Sequence, residues 1–145
     1  MDNAKIALVL GDPRSHNLAT LRELTPPRDG VVMAEVAAEA NYVTHNRHKI
    51  ARIFAAMRHF RDELRSAGFN VVYFESSAGL VSLAEALDRV SAEHSSGSVV
   101  CCEPGEYRVQ EQLNAWAKES GCALTWFEDV RFLCSFSAFR EWASG

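Results

Sequence analysis

Near the start of the chain, Ile6-Ala7-Leu8-Val9-Leu10 form an unbroken apolar run that stops at Gly11-Asp12. A strand with no polar side must be covered on both faces, which is the situation of a buried strand in a parallel sheet. Four more strand-like runs follow, at 31–34, 70–74, 98–102 and 123–127, and helical patterns separate them. Strands that alternate with helices need crossover connections, so the expected fold class is α/β. The expectation is a three-layer Rossmann-like domain: a five-stranded parallel sheet with helices on both faces. Its strand order, 3-2-1-4-5, is adopted from precedent. In such a sheet, ligands sit beyond the carboxyl ends of the strands, where the order reverses.

The helices have their own signals. A short one over 18–24 is broken by Pro26-Pro27-Arg28-Asp29-Gly30. In the longest, Ile50, Ile53, Phe54, Met57, Phe60 and Leu64 share one face, while Arg52, His59, Arg61 and Asp62 fall mostly on the other. Gly68 supplies a left-handed stop. Ser82-x-x-Glu85 reads as a capping box for a helix carrying Leu83, Leu87 and Val90. A helix from Tyr107 carries Val109, Leu113 and Trp116 and ends at Gly121; Ser135 heads a last short helix through Phe139 and Trp142. All three tryptophans occupy core-like positions in this reading.

With 145 residues, 48% of them hydrophobic, the chain is expected to form a single domain over 1–145, with no internal repeat or linker. At this size roughly two thirds of the unfolded surface is buried, enough for a core without staples. The net charge of −4 disfavours independent nucleic-acid binding, which calls for a basic excess or stripe. The Arg- and His-rich stretch over 47–65 reads first as the polar face of a helix. Cys101, Cys102, Cys122 and Cys134 form no metal-ligand spacing, and the adjacent pair points to opposite sides of a strand. They read as small apolar fillers in a reduced, cytoplasmic protein. No apolar run is long enough to span a bilayer, so no membrane partner is expected.

Several chemistries find no motif. There is no G-x-G-x-x-G after the first strand, no phosphate-binding loop ending in Gly-Lys-Ser/Thr, and no G-x-S-x-G nucleophile turn. A receiver domain would need paired acids after the first strand and a lysine after the fifth; only Asp12 stands at the first position. The carboxyl edge instead collects Gly11-Asp12, then Glu35, Glu39 and Tyr42, then His45, Arg47 and His48 at the helix entrance. Glu103-Pro104-Gly105-Glu106 follows the fourth strand, and Asp129, Arg131, Phe132 and Cys134 follow the fifth. Glu35 and Glu39 have no recognisable metal-ligand spacing, and the Pro-Gly segment reads as a turn. Asp12 is the strongest single candidate for a ligand contact at the switch point.

Several blocks then occur in order: Gly11-Asp12 with Ser15, Met33-Ala34-Glu35-Val36, 39–43, Lys49-Ile50, 54–60, 103–109 and 131–135. Together they resemble the N-terminal domain of the deoxyribodipyrimidine photolyase-related proteins. That family includes bacterial (6–4) photolyases and iron–sulfur bacterial cryptochromes. The resemblance spans nearly the whole chain. It implies an antenna domain holding 6,7-dimethyl-8-ribityllumazine, with Gly11, Asp12, Glu39, Tyr42 and Ile53 as the pocket. Carboxylates and a phenol suit a ribityl chain or a pteridine-like edge, and Ile53 suits the ring.

FAD, the iron–sulfur cluster and the lesion belong, by the same resemblance, to a helical C-terminal region. The sequence ends at Gly145, before any such helices or cluster cysteines, so the expectation is a chain not catalytically competent alone. Its partners would be such a catalytic region or a second copy of itself. The resemblance makes it the antenna and interaction domain of a DNA repair or blue-light photoreceptor protein. Where the family usually continues Gly-Asp with Gln-Leu, this chain has Pro13-Arg14, which removes a backbone donor and adds a long cation. That departure favours the alternative, a stand-alone small-molecule or nucleotide-binding module. A small enzyme using Asp12, Glu39 and a histidine is a third reading, without motif support.

Overall fold

The computed structural model describes residues 4–11, 19–36, 47–93, 97–128, 134 and 136–145. Five strands, β1 (Lys5–Leu8), β2 (Gly30–Ala34), β3 (Asn70–Phe74), β4 (Ser98–Cys102) and β5 (Ala123–Phe127), form one sheet. Its order is β3-β2-β1-β4-β5 and every pairing is parallel, as the alternation of strand and helix predicts. The ladder runs past the regular strands: Val9 N–H bonds to Val32 O, Glu35 N–H to Phe74 O and Glu103 N–H to Phe127 O. Pairing at the carboxyl edge therefore extends into the residues that begin the loops.

The described helices are α1 (Ala19–Arg22), α2 (Arg47–Ser66), α3 (Leu83–Glu93), α4 (Tyr107–Ser120) and α5 (Phe136–Ser144), with a 3-10 turn at Ser76–Ala78. Period-two alternation splits the sheet residues between two cores. Ile6, Leu8, Leu10, Val32, Ala34, Val99 and Cys101 face α3 and α4, which contribute Leu83, Leu87, Val90, Leu113 and Trp116. Ala7, Val9, Val31, Met33, Val100 and Cys102 face the other way, onto Leu21 and Leu24 of α1 and Met57, Phe60 and Leu64 of α2. Both sides of β1, β2 and β4 are thus covered, which is why those strands read as continuous apolar runs. Cys101 and Cys102 lie in different cores, as adjacent strand residues must.

β5 is an edge strand whose Ala123 and Thr125 are exposed. Its Trp126 indole N–H donates to Asn114 Oδ1 of α4 at 2.8 Å. Trp116 is buried and reaches Asp88 Oδ1 across the α3–α4 contact at 2.6 Å, so its polar end is satisfied where its ring is dry. Trp142 departs from the core position expected for it: it is 77% exposed, with Phe139 at 56% beside it on α5. A nine-residue helix at the end of a described segment shows a periodic apolar pattern whether or not an apolar surface lies under it.

The helix ends follow local chemistry. Gly68 and Gly121 sit at φ +91° and +70°, giving the left-handed turn that stops α2 and α4. The capping box differs from its expected form by one residue. Ser82 Oγ accepts from Glu85 N–H at 3.2 Å, but the Glu85 carboxylate accepts from Val81 N–H at 2.9 Å instead of from Ser82. Among the fillers expected from the four cysteines, Cys134 is exposed and Cys122 only partly covered, since neither lies on a two-sided strand.

Candidate functional site

The carboxyl edge of the sheet is where the loops carrying the polar candidates leave the fold. Gly11 lies just beyond β1, the central strand, whose neighbours β2 and β4 lie on opposite sides of it, so the strand order reverses there. Above it runs α2. A β-carbon at position 11 would stand 3.2 Å from Met57 Sδ and 3.7 Å from Ile53 Cγ2, so Gly11 and Ile53 are neighbours in space. The structure thereby brings together two of the five residues assigned to a pocket. Asp12, Glu39 and Tyr42 lie outside the described residues, as do His45, Asp129, Arg131 and Phe132.

The apolar face of α2 is not uniformly packed. Met57, Phe60 and Leu64 are buried, whereas Ile50, Ile53 and Phe54 are only half-buried. The uncovered end is the one at the carboxyl edge, beside Gly11. Apolar side chains half in water at the mouth of a switch point form a surface suited to a flat apolar ligand. Arg47, His48 and Lys49, at the start of the same helix, are exposed.

One residue from the carboxyl edge has a role the sequence did not disclose. Glu35 follows β2 and, like Val31 and Met33, turns toward α2, where its side chain is wholly shielded from solvent. Arg58 grips it with both arms of its fork, Nε donating to Oε1 at 2.6 Å and Nη2 to Oε2 at 3.0 Å. Tyr73 Oη donates to Oε1 at 2.7 Å, and Ser76 N–H to Oε2 at 2.8 Å. Burial opposes its ionisation, but the bonds from Arg58, Tyr73 and Ser76, with the charge of Arg58, outweigh that and push the carboxyl down to about 2. Burial and the hydrogen bond to Glu35 drive the Tyr73 phenol up, so it stays a donor at all ordinary pH.

A second layer surrounds this cluster. Arg61 lies 4.9 Å over the Tyr73 ring and 3.6 Å from Glu75, which also sits 4.0 Å from Arg58. Arg61, placed on the polar side of α2 by its spacing, is therefore mostly covered by Tyr73 and its ion partners. The sequence did carry a signal for Glu35. It is an acid ending an apolar strand, in step with two residues that face α2. What it lacked was any hint that position 58, among many arginines, would supply the partner.

The other candidates resolve simply. Glu103 and Pro104 are partly buried, Gly105 and Glu106 exposed, and Glu106 pairs with Arg108 at 3.1 Å in the turn that leads into α4. Among the described residues, three or more His, Cys, Asp or Glu side chains nowhere gather as a metal site, and no helix is long and apolar enough to cross a membrane. A shallow cavity of about 210 Å³ lies at the opposite, amino edge of the sheet, against Lys5, Arg28, Gly30 and Asn70. It is remote from Gly11 and Ile53, and the switch-point argument does not apply to it.

Comparison with known proteins bears on this arrangement. The model of the deoxyribodipyrimidine photo-lyase-related protein family matches residues 7–145. A protein of Agrobacterium fabrum (strain C58 / ATCC 33970) named "(6-4) photolyase" is 37% identical over 144 residues. That alignment takes in 98% of this chain and 28% of the relative, so the chain spans little more than a quarter of that protein's length. With a parallel sheet ordered 3-2-1-4-5 and a family match over nearly its whole length, this chain belongs to the deoxyribodipyrimidine photo-lyase-related proteins.

Proposed function

We propose that the chain is the antenna region of a photolyase-related protein, holding 6,7-dimethyl-8-ribityllumazine beyond the carboxyl end of β1. The observation that carries this reading is the half-buried apolar end of α2 standing over Gly11, where a β-carbon would come 3.2 Å from Met57 Sδ. A flat ring needs an apolar wall along one face. Gly11, with no side chain of its own, and Ile53 beside it would form that wall together. Asp12, Glu39 and Tyr42 complete the set, as acceptors and a phenol for the ribityl hydroxyls and the ring edge.

When bound, the lumazine supplies absorption of near-ultraviolet and blue light. The residues of this chain bind it, orient its ring against α2 and keep water from one face. The excitation would pass to a flavin in a helical region such as the resemblance implies, in DNA repair or blue-light sensing. The chain does no repair chemistry by itself in this reading. The rival reading, a small-molecule or nucleotide-binding module that has lost the antenna role, rests on Pro13-Arg14.

The test is a fluorescence and absorbance titration of the purified chain with 6,7-dimethyl-8-ribityllumazine, alongside Ile53→Trp. Saturable binding that Ile53→Trp abolishes supports the antenna site. A wild-type chain that does not saturate, while binding a nucleotide or another small ligand, supports the rival.

A further inference from the structure

Glu35 accepts four hydrogen bonds, two on each carboxylate oxygen, and its side chain is shielded from solvent. It has no lone pair left for a ligand and no proton to exchange, so it is neither a ligand contact nor a base. What it does is join three elements at the carboxyl edge: β2, which it ends; α2, through Arg58; and β3 with its following turn, through Tyr73 and Ser76. A buried ion pair is poor evidence of stability, since apolar residues of the same volume hold a core as well. It is good evidence of fixed geometry, because a two-armed guanidinium–carboxylate contact tolerates little rotation or slide.

The location makes that geometry matter. Arg58 adjoins Met57, the residue against Gly11, and lies five residues beyond Ile53 on the same helix. From Met57 to Leu64 the apolar face of α2 is buried and needs no help to stay in register. From Ile50 to Phe54 it is half-buried, so packing constrains that end less. The ion pair stands at the boundary between the two halves.

We infer that Glu35 and Arg58 are positioning residues for the lumazine pocket, setting the spacing between the first half of α2 and Gly11 without touching the ligand. The inference rests on the antenna reading. Loosening the pair should weaken the ligand about tenfold, the scale of losses when support behind a binding surface is removed.

The experiment titrates lumazine into the wild-type chain, Glu35→Gln, Arg58→Met and Arg58→Lys, well below each melting temperature. Amide hydrogen exchange is followed over 47–56 in the same proteins without ligand. The expected result is full binding stoichiometry with Kd raised about tenfold in Glu35→Gln and Arg58→Met, a shifted absorption band of the bound ring, and faster exchange over 47–56. Arg58→Lys keeps the charge and should recover part of the affinity. Variants that are merely less stable would lose stoichiometry while keeping the wild-type Kd and band, and that outcome overturns the inference. Wild-type Kd, band and exchange in every variant overturn it equally and leave the antenna reading standing. A wild-type chain that binds no lumazine overturns both. Should Glu35→Gln fail to fold, the contrast between Arg58→Lys and Arg58→Met decides alone.

Discussion

A single methyl group at position 11 separates packing from function at the carboxyl edge. In Gly11→Ala the new carbon would stand 3.2 Å from Met57 Sδ, inside ordinary contact distance, and 3.7 Å from Ile53 Cγ2, which is not strained. The sulfur must give by a few tenths of an ångström, and an unbranched methionine can do this by adjusting its torsions at a cost of about 1 kcal/mol or less. Gly11 does not have positive φ, so alanine incurs no backbone strain. Removing glycine restricts the unfolded chain and stabilises the fold by about 0.4–1 kcal/mol. The two effects nearly cancel, and stability should change by less than about 1 kcal/mol. The ligand would feel the change through its wall: the methyl pushes on Met57 and crowds Ile53, against which the ring would lie, and lumazine affinity should fall by about tenfold. Urea unfolding gives the first quantity and fluorescence titration the second. A loss above about 3 kcal/mol would mean that Met57 cannot yield and that the glycine is there for packing. Unchanged stability with unchanged affinity would place the ligand elsewhere and refute the pocket assignment.

Because the Glu35 carboxyl is held at about 2, well below its ordinary 4.5, its ionised form stabilises the fold fully above pH 4.5, and this contribution declines as pH falls toward 2. Discounted for solvent around the partly exposed Arg58, the effect is about 1–2 kcal/mol. Urea midpoints of the wild type and Glu35→Gln should converge over that interval, and a constant difference from pH 7 to 2 contradicts the assignment. Leu113, fully buried between α4 and the sheet, should cost about 2–5 kcal/mol as Leu113→Ala, read by chemical denaturation. Ser82→Ala removes the acceptor for Glu85 N–H and should cost about 1 kcal/mol, while Glu85→Gln, which keeps an acceptor for Val81 N–H, should cost less.

How much of this was legible beforehand depends on whether the physics is local. Strand and helix positions came from residue periodicity, and the parallel sheet followed because unbroken apolar runs such as that at Ile6 need cover on both faces. Gly68 and Gly121 announced their left-handed turns, since only the backbone is involved. The resemblance to photolyase-related proteins was carried by residues in order along the chain, and the family match bears it out. Trp142 shows the limit: an amphipathic pattern states which face is apolar, but not whether anything lies against it.

The tertiary structure alone decided the contacts between distant segments. Gly11 and Ile53 are forty-two positions apart, and their adjacency depends on α2 crossing above the end of β1. Glu35 was visible only as one carboxylate among several at a helix entrance. Its burial and its four donors arise because β2, β3 and α2 converge there, drawing Arg58, Tyr73 and Ser76 from 23 to 41 residues away. Local sequence sets each element's conformation because its determinants lie within a few residues. A buried ion pair depends on separation and solvent exclusion, which exist only once the elements have packed.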